Sequence, residues 1–247
     1  KQLAGLSAIV HQTILTGGIA ESVLAEQISD IEDALPPHIK LAYLPKLGQV
    51  RLRLSGCGDD RDAVQNEVSY YAAQIVDRTQ EHIIAQGDIP IEKAILDFMS
   101  SRELTLSLAE SCTGGNIAHM LTQHPGSSNV FLGGAVSYSN QLKQQMLGVD
   151  ANTLTKHGAV SEEVAREMAM GAINNYQSDY AVSVTGIAGP DGGLPDKPVG
   201  TVWIAVASKT KVKARKFQFG KLRLPNIERT TTTALIMLFK LLKEDYS

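Results

Sequence analysis

Several features are scarce in this sequence of 247 residues. It has two cysteines, Cys57 and Cys112, and aromatic residues make up 5% of it. Two cysteines are too few for a disulfide framework, so we expect a reducing, cytoplasmic location. The longest nearly apolar run, residues 234–242, contains Lys240 and is too short to span a bilayer. We therefore expect no membrane partner, and we expect no secretory signal before the first helical pattern.

A strong net charge is also missing. The 23 Lys and Arg residues stand against 26 Asp and Glu residues, which gives a formal net charge of -3. A general nucleic-acid binder would normally be basic, so a nucleic-acid partner is not expected. No group of His, Cys, Asp and Glu has metal-ligand spacing such as HExxH or CxxC. We therefore expect no metal and no cofactor.

What is present is a hydrophobic content of 43%, typical of a folded chain long enough for two domains. Residues 1–87 have the pattern of a small α+β module, and the segment 85–90, with its Gly and Pro, is the predicted linker. The predicted elements of this module are a helix over 19–31, a hairpin of strands 39–44 and 49–54, and a long helix over 60–81.

Residues 88–247 alternate between helical and strand patterns. Continuous apolar strands such as 181–184 and 202–206 indicate a sheet that is covered on both faces. The fold class predicted for this half is therefore α/β, with three α/β/α layers. Its predicted helices are 91–101, 116–123, 140–147, 161–175 and 226–243, and its predicted strands are 104–108, 131–138, 180–185, 200–208 and 212–219.

The segment Ala109–Gly115 is the most informative part of the sequence. It follows a buried strand and ends in a Ser/Cys/Thr cluster and two glycines, which let backbone N–H groups approach a ligand closely. The helix predicted to follow would favour negative charge at its N-terminus. This arrangement can hold a nucleophile next to an oxyanion or a phosphate. A tight strand-to-helix turn built for packing is the alternative interpretation.

Two further motifs lie at predicted strand ends, where open α/β sheets bind ligands. In the first, a strand leads through Tyr138 into a helix capped by Ser139, with Lys143 in its first turns. The second is the glycine-rich loop 185–193, which continues to Gly200. Its four glycines and one proline are typical of a loop that approaches a ligand with its backbone.

Together these motifs resemble the CinA carboxy-terminal domain family. The resemblance rests on four segments in the same order, 109–115, 138–149, 157–163 and 184–200, and it covers essentially all of residues 90–247. The first half resembles the KH-like middle domain of CinA proteins, through Thr16–Ser22. The amino-terminal molybdopterin-binding-like domain of such proteins has no counterpart here, so we expect either a shorter member or a piece of a longer protein.

The resemblance implies a nicotinamide mononucleotide deamidase, an amidohydrolase that releases ammonia through a Ser/Lys mechanism. It implies that Ser111 is the nucleophile and Lys143 the base, with Tyr138 as a further catalytic residue. A lysine can act as a base near neutrality only if burial or positive charge lowers its pKa by several units. The substrate would be the small nucleotide itself. A non-catalytic CinA-type regulatory or binding module, linked to DNA damage or competence, is the alternative.

The remaining site residues are expected to bind the oxyanion or the substrate. The backbone N–H groups of Cys112, Thr113 and Gly114 are the expected oxyanion donors, and an arginine is expected to grip the phosphate. The spacing that places this arginine differs from the usual family pattern, so two positions are candidates. The full set of expected binding residues is Glu110, Cys112, Thr113, Gly114, Gly115, Asn140, Thr185, Gly186, Ala188, Gly189, Arg223 and Arg229.

Four features of the sequence allow more than one interpretation. Cys112 is the rival nucleophile, but a small buried Cys under a turn is the commoner arrangement, and we favour Ser111. Glu110 either orients the turn or forms a salt bridge. The alternating basic run 209–215 is interpreted as the solvent face of an edge strand and not as a nucleic-acid surface. The KH-like half lacks a GxxG loop, so we expect a structural and dimerisation element, and a homodimer.

Overall fold

The computed structural model describes residues 8–246. The chain divides into two compact units, and the division falls between Ile91 and Glu92. Within residues 8–246, no helix has both the length and the apolar composition needed to cross a membrane.

The first unit is an α+β module with one four-stranded antiparallel sheet, as expected for a KH-like domain. The strand order is β2-β3-β1-β4. Its hydrophobic core lies between this sheet and its two helices, with Ile14, Leu52 and Val68 almost fully buried. Its elements are β1 (Ala8–Gly17), α1 (Glu21–Asp33), β2 (Ile39–Lys46), β3 (Gln49–Gly58), α2 (Arg61–Arg78) and β4 (Ile83–Gln86).

Two strands of this unit were not predicted. β1 contains His11, Gln12 and Thr13, which interrupt its apolar pattern, although it pairs with β3 along its whole length. β4 was assigned in part to the linker 85–90, and that assignment is wrong for Ala85 and Gln86, because β4 pairs with β1. Four residues make a short signal, and such an edge strand is held by its partner more than by its own composition.

The second unit contains a five-stranded sheet in the order β6-β5-β7-β8-β9. Strands β5, β6 and β7 run parallel, and β8 and β9 are antiparallel additions. Its elements are α3 (Ile91–Ser100), β5 (Leu106–Glu110), α4 (Asn116–Thr122), β6 (Phe131–Val136), α5 (Asn140–Leu147), α6 (Ala151–His157), α7 (Glu162–Tyr176), β7 (Tyr180–Gly186), β8 (Thr201–Ser208), β9 (Val212–Gln218) and α8 (Arg223–Asp245).

Helices cover both faces of this sheet, which confirms the three-layer prediction. α7 packs on one face against β5 to β9, and the Ser183 hydroxyl of β7 donates to the Ala165 carbonyl of α7 at 2.6 Å. α8 packs against β7 and β8 and also contacts α4. Successive residues of a strand point to opposite faces, so β7 is buried from Tyr180 through Thr185.

The position of α5 is set by its contact with α7. A Cβ atom placed on Gly171 of α7 would lie 1.9 Å from the carbonyl oxygen of Leu147, the last residue of α5. Only glycine permits this approach of the two helices. Between them in sequence lies α6, which was not predicted because Leu154 is its one large apolar residue and shows no helical period.

The basic run 209–215 lies where the sequence placed it, on and beside an edge strand. β9 ends the sheet, and Lys213 and Arg215 are exposed. Lys209 pairs with Asp179 at 2.7 Å, Lys211 with Asp245, and Lys213 with Glu244. These lysines therefore lie at the exposed edge of the sheet and form ion pairs with nearby carboxylates.

Candidate active site

Ser111 lies directly after β5, in the turn that leads to α4. Its N–H donates to the Val184 carbonyl of β7 at 3.0 Å, so the turn is attached to the neighbouring strand. Gly114 and Gly115 have φ values of 62° and 96°, a left-handed conformation that glycine adopts without strain. These two glycines allow the chain to reverse between strand and helix while Ser111 stays at the end of the sheet, 8% exposed.

Glu110 settles the question that the sequence left open. Its carboxylate is 1% exposed and accepts hydrogen bonds from the N–H groups of Gly115, Ile117 and Ala118, at 3.1, 3.1 and 2.9 Å. It orients the turn and caps α4, and no cation pairs with it among residues 8–246. The prediction that the α4 N-terminus favours negative charge agrees with this arrangement, in which the protein's own Glu110 supplies the charge.

Lys143 meets Ser111 in the interior of the second unit. The lysine side chain is 1% exposed, and its Nζ lies 3.0 Å from Ser111 Oγ and 2.7 Å from the Ser137 carbonyl oxygen. Ser139 caps α5 as predicted, because its hydroxyl accepts from the Leu142 N–H. No carboxylate among residues 8–246 contacts the Lys143 amine. A lysine buried without a carboxylate is unusual and points to chemistry.

The electrostatics of Lys143 shift its amine towards the neutral form. Burial lowers the pKa of Lys143 from its ordinary value of 10.5, and the smaller influence of Cys112 acts in the opposite direction. A neutral amine has a free lone pair, and that lone pair can accept the Ser111 proton across the 3.0 Å contact. The pair has the geometry of a nucleophile with its base.

Cys112 is built as a packing residue. It is 5% exposed, and burial is the main cause that raises the pKa of its thiol to about 12. The thiolate is the nucleophilic form of cysteine, so this thiol is unreactive near neutrality. Neither His119 nor His157 contacts it among the described residues, and His157 Nδ1 lies 3.2 Å from Glu163 instead. The geometry favours Ser111 over Cys112.

The expected oxyanion donors are only partly available. The Gly114 N–H donates to the Ser111 carbonyl at 3.1 Å, so its assignment as an oxyanion donor is wrong. The N–H groups of Cys112 and Thr113 donate to no other residue within 8–246. Two buried hydroxyls near the pair, those of Thr113 and Ser137, also lack a partner in this part of the chain. The sequence did not single out Ser137, since a Ser that follows a strand carries no distinct signal.

Arg223 links the side chain of Tyr138 to the backbone of the glycine-rich loop at Gly189. Arg223, the first residue of α8, donates from Nη2 to the Tyr138 hydroxyl at 2.7 Å and from Nη1 to the Gly189 carbonyl at 3.1 Å. Among residues 8–246, no hydrogen bond joins Tyr138 to Ser111 or Lys143. Arg229 and Asn140 are exposed, and within the same range no hydrogen bond joins either side chain to the pair. Of the two candidate arginines, the structure brings Arg223 to these loops.

The glycine-rich loop is held by the residues around it. Gly189 has a φ of 90°, and a Cβ atom there would lie 2.5 Å from Val199. Asn226 Nδ2 of α8 donates to the Ala188 and Gly220 carbonyls, both at 2.9 Å. The sequence missed Asn226, because asparagine is common near the start of a helix and its presence there does not point to a contact with a distant loop.

Two other expected binding residues have structural partners. The Thr185 hydroxyl donates to the Ala159 carbonyl at 2.7 Å, and Gly186 allows close approach of Val202. Within the described chain, no group of three His, Cys, Asp or Glu side chains could hold a metal ion.

Comparisons with known families match almost the whole chain. Residues 88–242 match the model of the CinA C-terminal domain, and residues 11–85 match that of the damage-inducible protein CinA KH domain. A CinA-like protein of Chloroherpeton thalassium is 46% identical over 238 residues, 95% of this chain and 57% of that protein. One of Cytophaga hutchinsonii is 40% identical over 236 residues, 96% of this chain and 56% of that protein.

Solved structures match about three fifths of the chain. The competence/damage inducible protein CihA from Agrobacterium tumefaciens is 42% identical, with a TM-score of 0.60, over 62% of this chain and 93% of that one. A CinA superfamily protein from Escherichia coli is 33% identical, with a TM-score of 0.59, over 61% of this chain and 88% of that one. The chain spans about 57% of the length of the curated relatives described above.

Proposed function

The chain belongs to the CinA family, and from that premise we propose that its second unit is a serine amidohydrolase that converts nicotinamide mononucleotide to nicotinic acid mononucleotide and ammonia. The observation that carries this proposal is the contact of 3.0 Å between Lys143 Nζ and Ser111 Oγ, in a buried setting where no carboxylate among residues 8–246 pairs with the amine. Such a pair supplies a nucleophile and a base for amide hydrolysis. The choice of substrate rests on the family resemblance.

The first half of the proposed reaction transfers the acyl group to the protein. The lone pair of Lys143 Nζ takes the Ser111 proton while Oγ bonds to the carboxamide carbon. The N–H groups of Cys112 and Thr113 stabilise the oxyanion that forms on the carbonyl oxygen. The ammonium of Lys143 then gives its proton to the departing nitrogen, the C–N bond breaks, and ammonia leaves an ester on Ser111.

The second half releases the acid. A water molecule gives a proton to Lys143 as its oxygen bonds to the ester carbon, and the tetrahedral intermediate collapses. The Ser111–carbon bond breaks, and Lys143 returns its proton to Ser111 Oγ. Arg223 would hold the phosphate of the nucleotide, because a guanidinium can donate two parallel hydrogen bonds to phosphate oxygens. The reaction consists of proton and acyl transfers and needs no oxidant or reductant.

Comparison of two neighbouring substitutions tests the proposal. Ser111→Ala should lower kcat for ammonia release from nicotinamide mononucleotide by about 10³-fold or more, because it removes the nucleophile. Cys112→Ala is its matched control, since it removes a buried sulfur from the same turn. It should keep most of the activity at a modest cost in stability. Ammonia release and circular dichroism on both variants measure these effects.

Two results would contradict the proposal. One is loss of turnover in a folded Cys112→Ala protein while Ser111→Ala stays active, which would make the thiol the nucleophile. The other is the absence of ammonia release by the unmodified protein, which would favour the regulatory or binding module that the sequence left as the alternative.

A further inference from the structure

We propose that the ring of Tyr138 is a specificity surface that selects a positively charged pyridinium over a neutral ring of the same shape. The inference rests on the proposed function, because it concerns the ring that carries the carboxamide. It gives Tyr138 a role in recognition in place of the further catalytic role implied by the family resemblance.

The contacts of Tyr138 place its ring between the catalytic pair and the glycine-rich loop. Its neighbour Ser137 holds Lys143 Nζ through its carbonyl oxygen, at 2.7 Å. Its own hydroxyl accepts from Arg223, which also binds the Gly189 carbonyl. The ring therefore extends from the backbone beside the lysine towards the start of α8. A substrate whose amide lies at Ser111 and whose phosphate lies at Arg223 must pass along it.

The ring is held in place and is nevertheless free to bind. Tyr138 is 57% exposed, and Arg223 meets it at the hydroxyl oxygen. The guanidinium–ring contacts that the structure shows involve Phe98, Tyr246 and Phe217, and none of them uses Tyr138. A fixed aromatic face that is open to solvent attracts cations through the negative potential above the ring.

The acidic groups near the pair are poorly suited to balance a cationic ring. The Glu110 carboxylate already accepts from three backbone N–H groups, and the Cys112 thiol stays neutral because burial raises its pKa to about 12. Arg223 would repel a pyridinium. Asp191 and Asp196 lie in the glycine-rich loop, where they are exposed and, within the described chain, make no contact with the pair. Among these, Asp191 is the rival for this role, since it follows Gly189 by two residues.

The test compares two ligands that differ in ring charge. Ser111→Ala protein, which prevents turnover, is titrated by calorimetry with nicotinamide mononucleotide and with its reduced form, in which the dihydropyridine ring is neutral. The measured quantity is the ratio of the two Kd values, which cancels any change in phosphate binding. Adding Tyr138→Leu should reduce the preference for the oxidised ligand by about 3- to 30-fold, the usual strength of a cation–π contact. Tyr138→Phe should preserve the ratio.

Two controls sharpen the result. Tyr70→Leu removes another exposed tyrosine, in the first unit, and should leave the ratio unchanged. Asp191→Asn removes the rival carboxylate and should do the same. An unchanged ratio in Tyr138→Leu, or a collapse of the ratio in Asp191→Asn, overturns this inference and leaves the amidohydrolase proposal intact. Failure of the Ser111→Ala protein to bind either ligand overturns both.

Discussion

The two units of this chain treat buried polar groups in opposite ways. Among its described residues, the first unit buries no Asp, Glu, Lys or Arg, and its buried Thr16 and Thr79 donate to the backbone carbonyls of Val50 and Ile75. The second unit buries three charged side chains, Glu92, Glu110 and Lys143, and the last two belong to the candidate site. Charged side chains are thus buried in the unit where a reaction is proposed and not among the described residues of the other.

The two buried charged residues of the candidate site, Glu110 and Lys143, are also unlike each other. Burying an ionised group costs free energy unless partners compensate it. Glu110 has three backbone donors, so its charge is satisfied by structure. The Lys143 amine contacts the hydroxyl of Ser111 and the carbonyl of Ser137, and burial lowers its pKa. One group therefore serves stability and the other reactivity, and substitutions should separate these roles.

The largest expected effect concerns proton transfer by Lys143. Lys143→Ala and Lys143→Arg should both lower kcat by about 10³-fold or more, because arginine keeps the charge but releases no proton at accessible pH. In the unmodified protein, activity should fall as pH drops through the lowered pKa of Lys143, since the ammonium has no lone pair. Profiles of kcat and KM against pH measure both effects.

Lys213→Ala serves as the control, because Lys213 is an exposed lysine paired with Glu244 and its loss should leave kcat unchanged. An arginine variant at position 143 with kcat near that of the unmodified protein would remove Lys143 from the role of base. In that case a rise in KM with unchanged kcat would assign the lysine to substrate binding.

A smaller effect is expected at Glu110, and it should appear as lost stability. In Glu110→Gln the side-chain NH₂ group would face a backbone donor, and the charge at the α4 N-terminus would disappear. We expect a loss of about 2–4 kcal/mol in the free energy of unfolding. Denaturant unfolding measures it, with Glu32→Gln as the control from the first unit, where Glu32 accepts from the Tyr43 hydroxyl at a partly exposed site. Equal losses in the two variants would remove the contrast between the units.

The smallest expected effect is a gain in stability. Lys143→Met keeps the shape of the side chain and removes a group that is costly to bury, so it should abolish activity and stabilise the protein by about 1–2 kcal/mol. The sign follows from linkage. Because the pKa is lower in the folded state, the unfolded chain binds more protons, and the stability of the unmodified protein rises with pH up to the ordinary lysine pKa. The stability difference between the two proteins should therefore narrow as pH rises, as thermal melts can measure.

The sequence predicted the parts of the fold whose signals are local. The layered second unit follows from its apolar strands, and the hairpin of the first unit, observed as Ile39–Lys46 and Gln49–Gly58, follows from the alternation of Val50, Leu52 and Leu54. β1 and β4 were missed because pairing between distant segments creates them. The predicted helix over 60–81 ends earlier, at Arg78, where the Thr79 hydroxyl binds the Ile75 carbonyl and a 3₁₀ turn follows.

The candidate site was predicted only as a set of residues. Motifs identified Ser111 and Lys143, but no pattern in the sequence gives the distance between them or the burial that lowers the lysine pKa. The assignment of Gly114 failed because a turn uses its N–H, which depends on the conformation of the neighbouring residues. The partner of Arg223 is Tyr138, 85 positions away in sequence, and such a contact has no local signal.

The close approach of α5 and α7 at Gly171 has a consequence for how this protein can vary. α5 carries Lys143 and ends at Leu147, whose carbonyl oxygen lies against Gly171 of α7. Any side chain at position 171 would therefore displace α5. A displacement of about 1 Å is enough to weaken a catalytic arrangement severely. A homologous sequence could therefore preserve every residue of the catalytic pair and still be inactive, if it lacked the glycine that seats the helix. Whether a relative with this fold is active therefore depends on the packing of α5 against α7 as well as on the residues of the catalytic pair.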